Sequence, residues 1–164
     1  MNRYFIAIVF SLAIVTMISC KSRKSASGAA EDGSTAFTKI AEGNYCGVET
    51  ASTMLIRSQE EWKSLWEKVT ANRSPVPTLP EVNFDENLIL AVFSGTQNSG
   101  GHTIEIQRVA MEKGKYQVNV LQTKPGSGCF VTDVLTQPYY IASVAKGKIL
   151  EAEFSTETVA TPCK

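Results

Sequence analysis

One histidine and four cysteines bound the acid–base, thiol and metal chemistry open to this chain. A hydrolytic triad needs a base, and His102 is the sole imidazole available for that role. It lies in phase with Ile104 and Ile106 on an alternating stretch. That phase predicts a partly buried, aromatic-like position at a strand start rather than a general base. Cys129 with His102 is the conceivable thiol pair, but no local motif joins them. A lone histidine with scattered cysteines lacks zinc-ligand spacing, so neither metal nor cofactor is expected. Asp85-Glu86 reads as a solvated acidic pair at a turn. Gly100-Gly101 and Gly126-Ser127-Gly128 lack the Gly-Lys-Ser/Thr ending and following helix of a phosphate loop. They read instead as turns in which glycine supplies positive φ or close backbone approach. The residues point away from catalysis.

The N-terminus points to a place in the cell. Asn2-Arg3 precedes an apolar run over residues 5–17, which ends in Met17-Ile18-Ser19-Cys20. A basic start, an apolar run and a small residue before the cut describe a secretory signal. The cysteine resembles that of the bacterial lipobox, where it is acylated and becomes the new N-terminus. Met17 stands where leucine is usual. The run is shorter than the roughly 20 residues of a membrane span. Residues 1–19 are therefore expected to be a lipoprotein signal peptide and Cys20 the lipidated residue. Acyl chains contribute about 0.8 kcal/mol per buried CH₂, enough together for a stable anchor. The body would face the periplasm or the cell surface. Residues 20–38 are small and polar and read as a flexible tether. Residues 39–164 then form a single domain.

Sixteen basic and sixteen acidic residues cancel, and no basic stripe appears, so nucleic acid is not an expected partner. An extracytoplasmic body permits disulfides. Beyond Cys20, the odd set Cys46, Cys129 and Cys163 predicts one pair and one free thiol. Cys46 opens the domain and Cys163 nearly ends it, which points to Cys46–Cys163, with Cys129 to either partner left open.

Any binding surface must be positioned by regular elements. Residues 44–57 read as a strand region ending in Thr53-Met54-Leu55-Ile56-Arg57. Ser58-Gln59-Glu60-Glu61 is a capping box. Trp62, Leu65, Trp66 and Val69 follow at helical spacing, so the tryptophans are expected in the core. Pro75, Pro77 and Pro80 form the next loop. Leu88-Ile89-Leu90-Ala91-Val92-Phe93 is an unbroken apolar run, suited to a central strand covered on both faces. Alternation predicts further strands from His102, from Tyr116 and over residues 139–144. Lys146-Gly147 predicts a hairpin turn, with residues 149–154 returning and Leu150, Ala152 and Phe154 on one face. The class is α+β: an antiparallel sheet of about five to seven strands with one amphipathic helix packed on it.

The stretch Val92-Phe93-Ser94-Gly95-Thr96-Gln97-Asn98-Ser99-Gly100-Gly101-His102-Thr103-Ile104-Glu105-Ile106 resembles the core of PrcB-type C-terminal domains. Lys124-Pro125-Gly126-Ser127-Gly128 resembles that family's second loop, and Leu135-Thr136-Gln137-Pro138-Tyr139 its next strand entry. The resemblance spans residues 88–144, and the upstream Glu60-Glu61-Trp62 and Leu65-Trp66 helix also fits. Two departures fall in the first loop. Gln97-Asn98-Ser99 replaces a proline-containing turn, and His102 replaces a tyrosine. The family is named for a lipoprotein subunit of a surface protease complex that is not the peptidase. The resemblance thus implies an extracytoplasmic, non-catalytic partner or stabiliser of an exported protein, a protease among the candidates.

Loops on a rigid sheet are favoured positions for recognition. Gln97, Asn98, Ser99, Gly100, Gly101 and His102 form the first candidate loop. Pro125, Gly126, Ser127 and Gly128 form the second, and Pro138 with Tyr139 the third. These are expected to cluster at one end and bind the partner. Their glycine turn, glycine loop and Pro-aromatic turn also resemble chagasin-type protease inhibitors, which makes inhibition the alternative function. A periplasmic small-ligand-binding module is a further alternative.

Overall fold

The computed structural model describes residues 33–148 and 150–163. The expected signal peptide, Cys20 and residues 20–32 of the tether lie outside the described residues. The element order is β1 (Phe37–Gly43), β2 (Ser52–Ile56), α1 (Gln59–Thr70), β3 (Asn87–Phe93), β4 (Thr103–Glu112), β5 (Lys115–Pro125), β6 (Tyr139–Ala145) and β7 (Ala152–Thr161). Among the described residues, one helix and seven strands give the α+β class read from the sequence.

The strands divide into two sheets, ordered β1-β6-β3-β2 and β4-β5-β7. The first sheet is the middle layer. Along β3, Leu88, Leu90 and Val92 face the second sheet, where they meet Ile104, Ile106, Val109, Tyr116, Val118 and Val120. Ile89, Ala91 and Phe93 face α1 and meet Trp62, Leu65, Trp66 and Val69. Period-two alternation sends successive side chains to opposite layers, and both layers are apolar. That is why β3 reads as a continuous apolar run.

α1 starts as its sequence dictates. The Ser58 hydroxyl accepts from the Glu61 N–H at 3.2 Å. A Glu61 carboxylate oxygen accepts from the Arg57 N–H at 2.7 Å, one residue before the box predicts. The proline loop then lies against the helix. The indole N–H of Trp62 donates to the Pro80 carbonyl at 2.9 Å, and that of Trp66 to the Pro77 carbonyl at 3.1 Å. Both tryptophans are buried, as expected.

Three sequence readings are corrected. The last strand does not return as a hairpin on β6, because β1 and β3 already occupy both edges of β6. The chain crosses to the other sheet instead, and β7 pairs parallel with β5 from Tyr116↔Ala152 to Pro125↔Thr161. Ala152 and Phe154 still share the inner face, packed against the core. Second, the domain begins before residue 39. Phe37 is buried, Phe37 and Thr38 belong to β1, and the Thr35 N–H donates to the Val109 carbonyl. An aromatic side chain with a place in the core ends the tether early. Third, only Ser52–Ile56 of residues 44–57 is a strand. Before it, the chain passes tightly over the end of α1: a Cβ on Gly47 would sit 2.3 Å from the Lys68 carbonyl oxygen.

Candidate functional site

β3 ends at Phe93, and Gly95 turns the chain with φ +68°. A Cβ there would lie 2.6 Å from the Ala51 nitrogen, so only glycine fits. The first candidate loop follows and is bonded to the segment that precedes β6. Gln97 and Thr136 exchange two backbone hydrogen bonds, at 2.8 and 3.0 Å. The Gly100 N–H donates to the Thr132 carbonyl at 2.9 Å, and the Thr136 hydroxyl donates to the Ser99 carbonyl at 3.0 Å. Gly101 lies over Pro125, whose ring a Cβ would meet at 3.0 Å. The third segment is tied in through Pro138, whose carbonyl accepts from the Ser94 N–H at 2.9 Å. The three loops expected to cluster do so.

Their side chains take different parts. Asn98, Ser127 and Gly128 are exposed. The Gln97 side-chain amide donates to the Ser94 carbonyl at 2.9 Å, and the Ser99 hydroxyl bonds His102 Nε2 at 3.2 Å. These two side chains hold the loop together. Pro138 and Tyr139 point inward: Tyr139 is buried, stacks on Phe93 at 6.3 Å and accepts from Arg73 at 2.9 Å. They support the end of the sheet and offer little surface.

The surface residues that the sequence reading passed over are on the segment between the second and third loops. Phe130 is fully exposed, and Val131, Val134 and Leu135 are exposed beside it. Four large apolar side chains in six positions, directly after a glycine loop, were the available signal. This segment is held at both ends. Gly100 and Gln97 bond its backbone, and a disulfide joins Cys129, just before it, to Cys163.

That pairing corrects the expected Cys46–Cys163 bridge. Among the described residues Cys46 is the free cysteine and is buried, its thiol directed at the Gln137 carbonyl at 3.4 Å. The parallel run of β7 along β5 carries Cys163 to the loop after β5, where Cys129 sits. Closeness of the domain's two ends was the wrong guide.

Among the described residues, the candidate base and thiol groups of the cluster are not joined into a triad. Cys129 is committed to the disulfide, so it offers no thiolate to His102. Burial pushes the Cys46 thiol above its ordinary pKa, against the smaller opposing effects of the Val48 backbone and Arg73. A buried, protonated thiol is a poor nucleophile. Ser99 and His102 touch, but His102 Nδ1 is buried and without a hydrogen-bond partner among the described residues. A serine–histidine pair works when a third group orients the imidazole through that nitrogen. Among the described residues, no three His, Cys, Asp or Glu side chains gather as metal ligands.

Two cavities lie elsewhere or at the margin. A groove of about 370 Å³ runs between β2 and α1 over Met54, Ile56 and Leu65, rimmed by Glu61 and Lys68. A second, of about 270 Å³, borders the loop end between Gly43, Thr103 and Tyr139.

The paired glycine loops and the strands that carry them run from β3 to β6. Residues 88–145 match the PrcB C-terminal family. No curated protein sequence matches the chain, and no solved structure does. The PrcB-like stretch contains β3 from Leu88 onward, β4, β5, β6 and every candidate loop, whereas α1, β1, β2, β7 and Cys163 lie outside it.

Proposed function

We propose that this chain is a non-catalytic, lipid-anchored protein of the bacterial envelope whose PrcB-like domain binds an exported protein through its glycine-loop end. A protease complex is the partner class that the family name suggests. The observation that carries the reading is the segment with Phe130, Val131, Val134 and Leu135, exposed yet fixed in place. Exposed apolar groups clustered on a loop favour an interface. Fixing them beforehand lowers the ordering cost of binding. An exposed aromatic that enters a partner's pocket is a typical energetic centre of such an interface. Asp133, in the middle of the segment, favours a protein surface over insertion into lipid, because burying its carboxylate in hydrocarbon is costly.

The test is capture of the partner from the organism's own envelope with the native protein and with a Phe130→Ala, Leu135→Ala variant. Both side chains touch solvent, so the melting midpoint should stay within about 0.5 kcal/mol of wild-type stability. Partner recovery should fall at least tenfold. Undiminished recovery by that folded variant moves the interface elsewhere.

Lipidation at Cys20 has its own test. The Cys20→Ala chain should leave the membrane fraction or accumulate unprocessed. Fractionation and gel mobility identical to wild type would remove the anchor from this reading.

A further inference from the structure

Among the described residues, the open edge of β7 is unlike every other strand edge. β1 is broken by a register shift between Lys39 and Ala41, and β4 by one between Ile106 and Arg108. Ser34 bridges Ala110 on the outside of β4. β2 is short, and Arg57 Nη1 donates to its Leu55 carbonyl. Bulges, short strands, proline and charged side chains, lysine above all, are the usual protections of a sheet edge. β7 has no bulge, proline or basic residue, and its charged side chains are Glu153 and Glu157. It runs for 10 residues, Ala-Glu-Phe-Ser-Thr-Glu-Thr-Val-Ala-Thr, without proline, lysine, arginine or a register shift.

The groups on that edge follow from the pairing on the other side. The carbonyls of Glu151 and Thr161 accept from Tyr116 and Gly126, so the odd-numbered residues face β5. Strand alternation then turns the N–H and C=O groups of Ala152, Phe154, Thr156, Thr158 and Ala160 outward. Arg57 takes the Leu150 carbonyl, just before the strand, at 2.8–2.9 Å. From Ala152 to Ala160, no hydrogen bond from a described residue reaches the outer edge. The geometry that satisfies such a row is another strand.

We propose that the occupant is β7 of a second copy, paired antiparallel about a two-fold axis at Thr156. The side chains select that register. With Thr156 opposite itself, Glu153 faces Val159 and Ser155 faces Glu157, while Phe154 faces Thr158. A shift of the axis to Ser155 sets Glu153 against Glu157. A shift to Glu153 or Glu157 sets a carboxylate against its own twin. Like charges directly opposed destabilise a strand pair, and threonines opposed to one another stabilise it. The Thr156 axis also gives the longest overlap free of such clashes, from Ala152 to Ala160. The two three-stranded sheets would join into one, β4-β5-β7-β7-β5-β4, leaving the glycine-loop ends free. A two-fold contact of this kind is isologous and closes on itself.

Sedimentation of the full chain should give twice the mass of one chain. Thr156→Lys sets two ammonium groups face to face, and Thr156→Pro removes an outward N–H that bonds no described residue. Both should yield monomers with circular dichroism spectra like wild type. Under oxidising conditions Thr156→Cys should cross-link the dimer, whereas Thr158→Cys, opposite Phe154, should not. A monomeric wild-type chain would overturn the proposal. A dimer that survives both Thr156→Lys and Thr156→Pro would do the same, as would cross-linking through Thr158→Cys in preference to Thr156→Cys. Protection of β7 amides from exchange only after adding envelope extract would give the edge to a different protein and reject the second copy.

Discussion

Trp62→Ala is expected to cost about 3–5 kcal/mol, the largest loss available from a single side chain in α1. Trp62 is completely buried between the helix and the four-stranded sheet. Its ring lies 5.2 Å from that of Trp66 at an interplanar angle of 52°. Truncation removes this contact and opens a cavity that rigid β3 and β6 side chains cannot collapse into. It also strips the Pro80 carbonyl of its indole donor, which had held the proline loop down. For a domain of this size, the midpoint of thermal unfolding should fall on the order of 10–20 °C. Trp62→Phe keeps most of the apolar area and loses the N–H, so it should fall between wild type and alanine. A Trp62→Ala midpoint equal to that of wild type would show that α1 is not packed on the sheet.

Trp62 was legible because its position depends on local chemistry. Ser58 and Glu61 mark the helix start, and the 3.6-residue spacing of Trp62, Leu65, Trp66 and Val69 defines the buried face. β3 was legible for a related reason: six residues with no polar side chain after Asn87 demand cover on both faces. The partition into two sheets was not legible. Nothing in Leu150-Glu151-Ala152-Glu153-Phe154 records that β6 has both edges filled, since that depends on β1, more than 90 residues earlier. Lys146-Gly147 is a sound turn signal locally. Tertiary competition for the edge of β6 overrode it.

The candidate site divides the same way. Glycines marked the turns, because Gly95 and Gly101 take positive φ and lie against neighbouring chain. Their spacing could not say which side chains end on the surface. Tyr139 turned inward because the next strand is central and its ring has Phe93 and Arg73 to pack against. Phe130 turned outward because the segment around it is irregular and is tied down at Thr132 and Thr136, through their backbones and the Thr136 hydroxyl, rather than through its apolar side chains. An apolar residue in a loop gives no periodic clue to its exposure, so the sequence left Phe130 and Leu135 silent.

Loss of the Cys129–Cys163 bridge is expected to destabilise the domain by about 2–4 kcal/mol, most of it through the unfolded chain. The bridge spans 34 residues, a loop long enough that its closure substantially restricts the unfolded ensemble. In the native state its effect is local. Cys163 ends the segment that follows β7, and Cys129 begins the exposed apolar segment. The bridge thus holds the C-terminal end of β7 and the start of the candidate binding segment to the same point. Cys163→Ser should lower the denaturation midpoint and speed backbone exchange first at residues 126–135 and 158–161. The α1 and β3 amides should keep their order of protection. Cys46 cannot substitute, since its thiol is buried against Gln137 at the far side of the loop cluster's support. Treating the wild-type chain with a reductant should therefore reproduce the Cys163→Ser midpoint, and treating Cys163→Ser should change nothing further. Partner capture should weaken in the reduced protein even below its unfolding midpoint, because Phe130 and Leu135 would be less fixed before binding. If Cys163→Ser unfolds at the wild-type midpoint with unaltered exchange at residues 126–135, the bridge constrains neither the unfolded chain nor the loop.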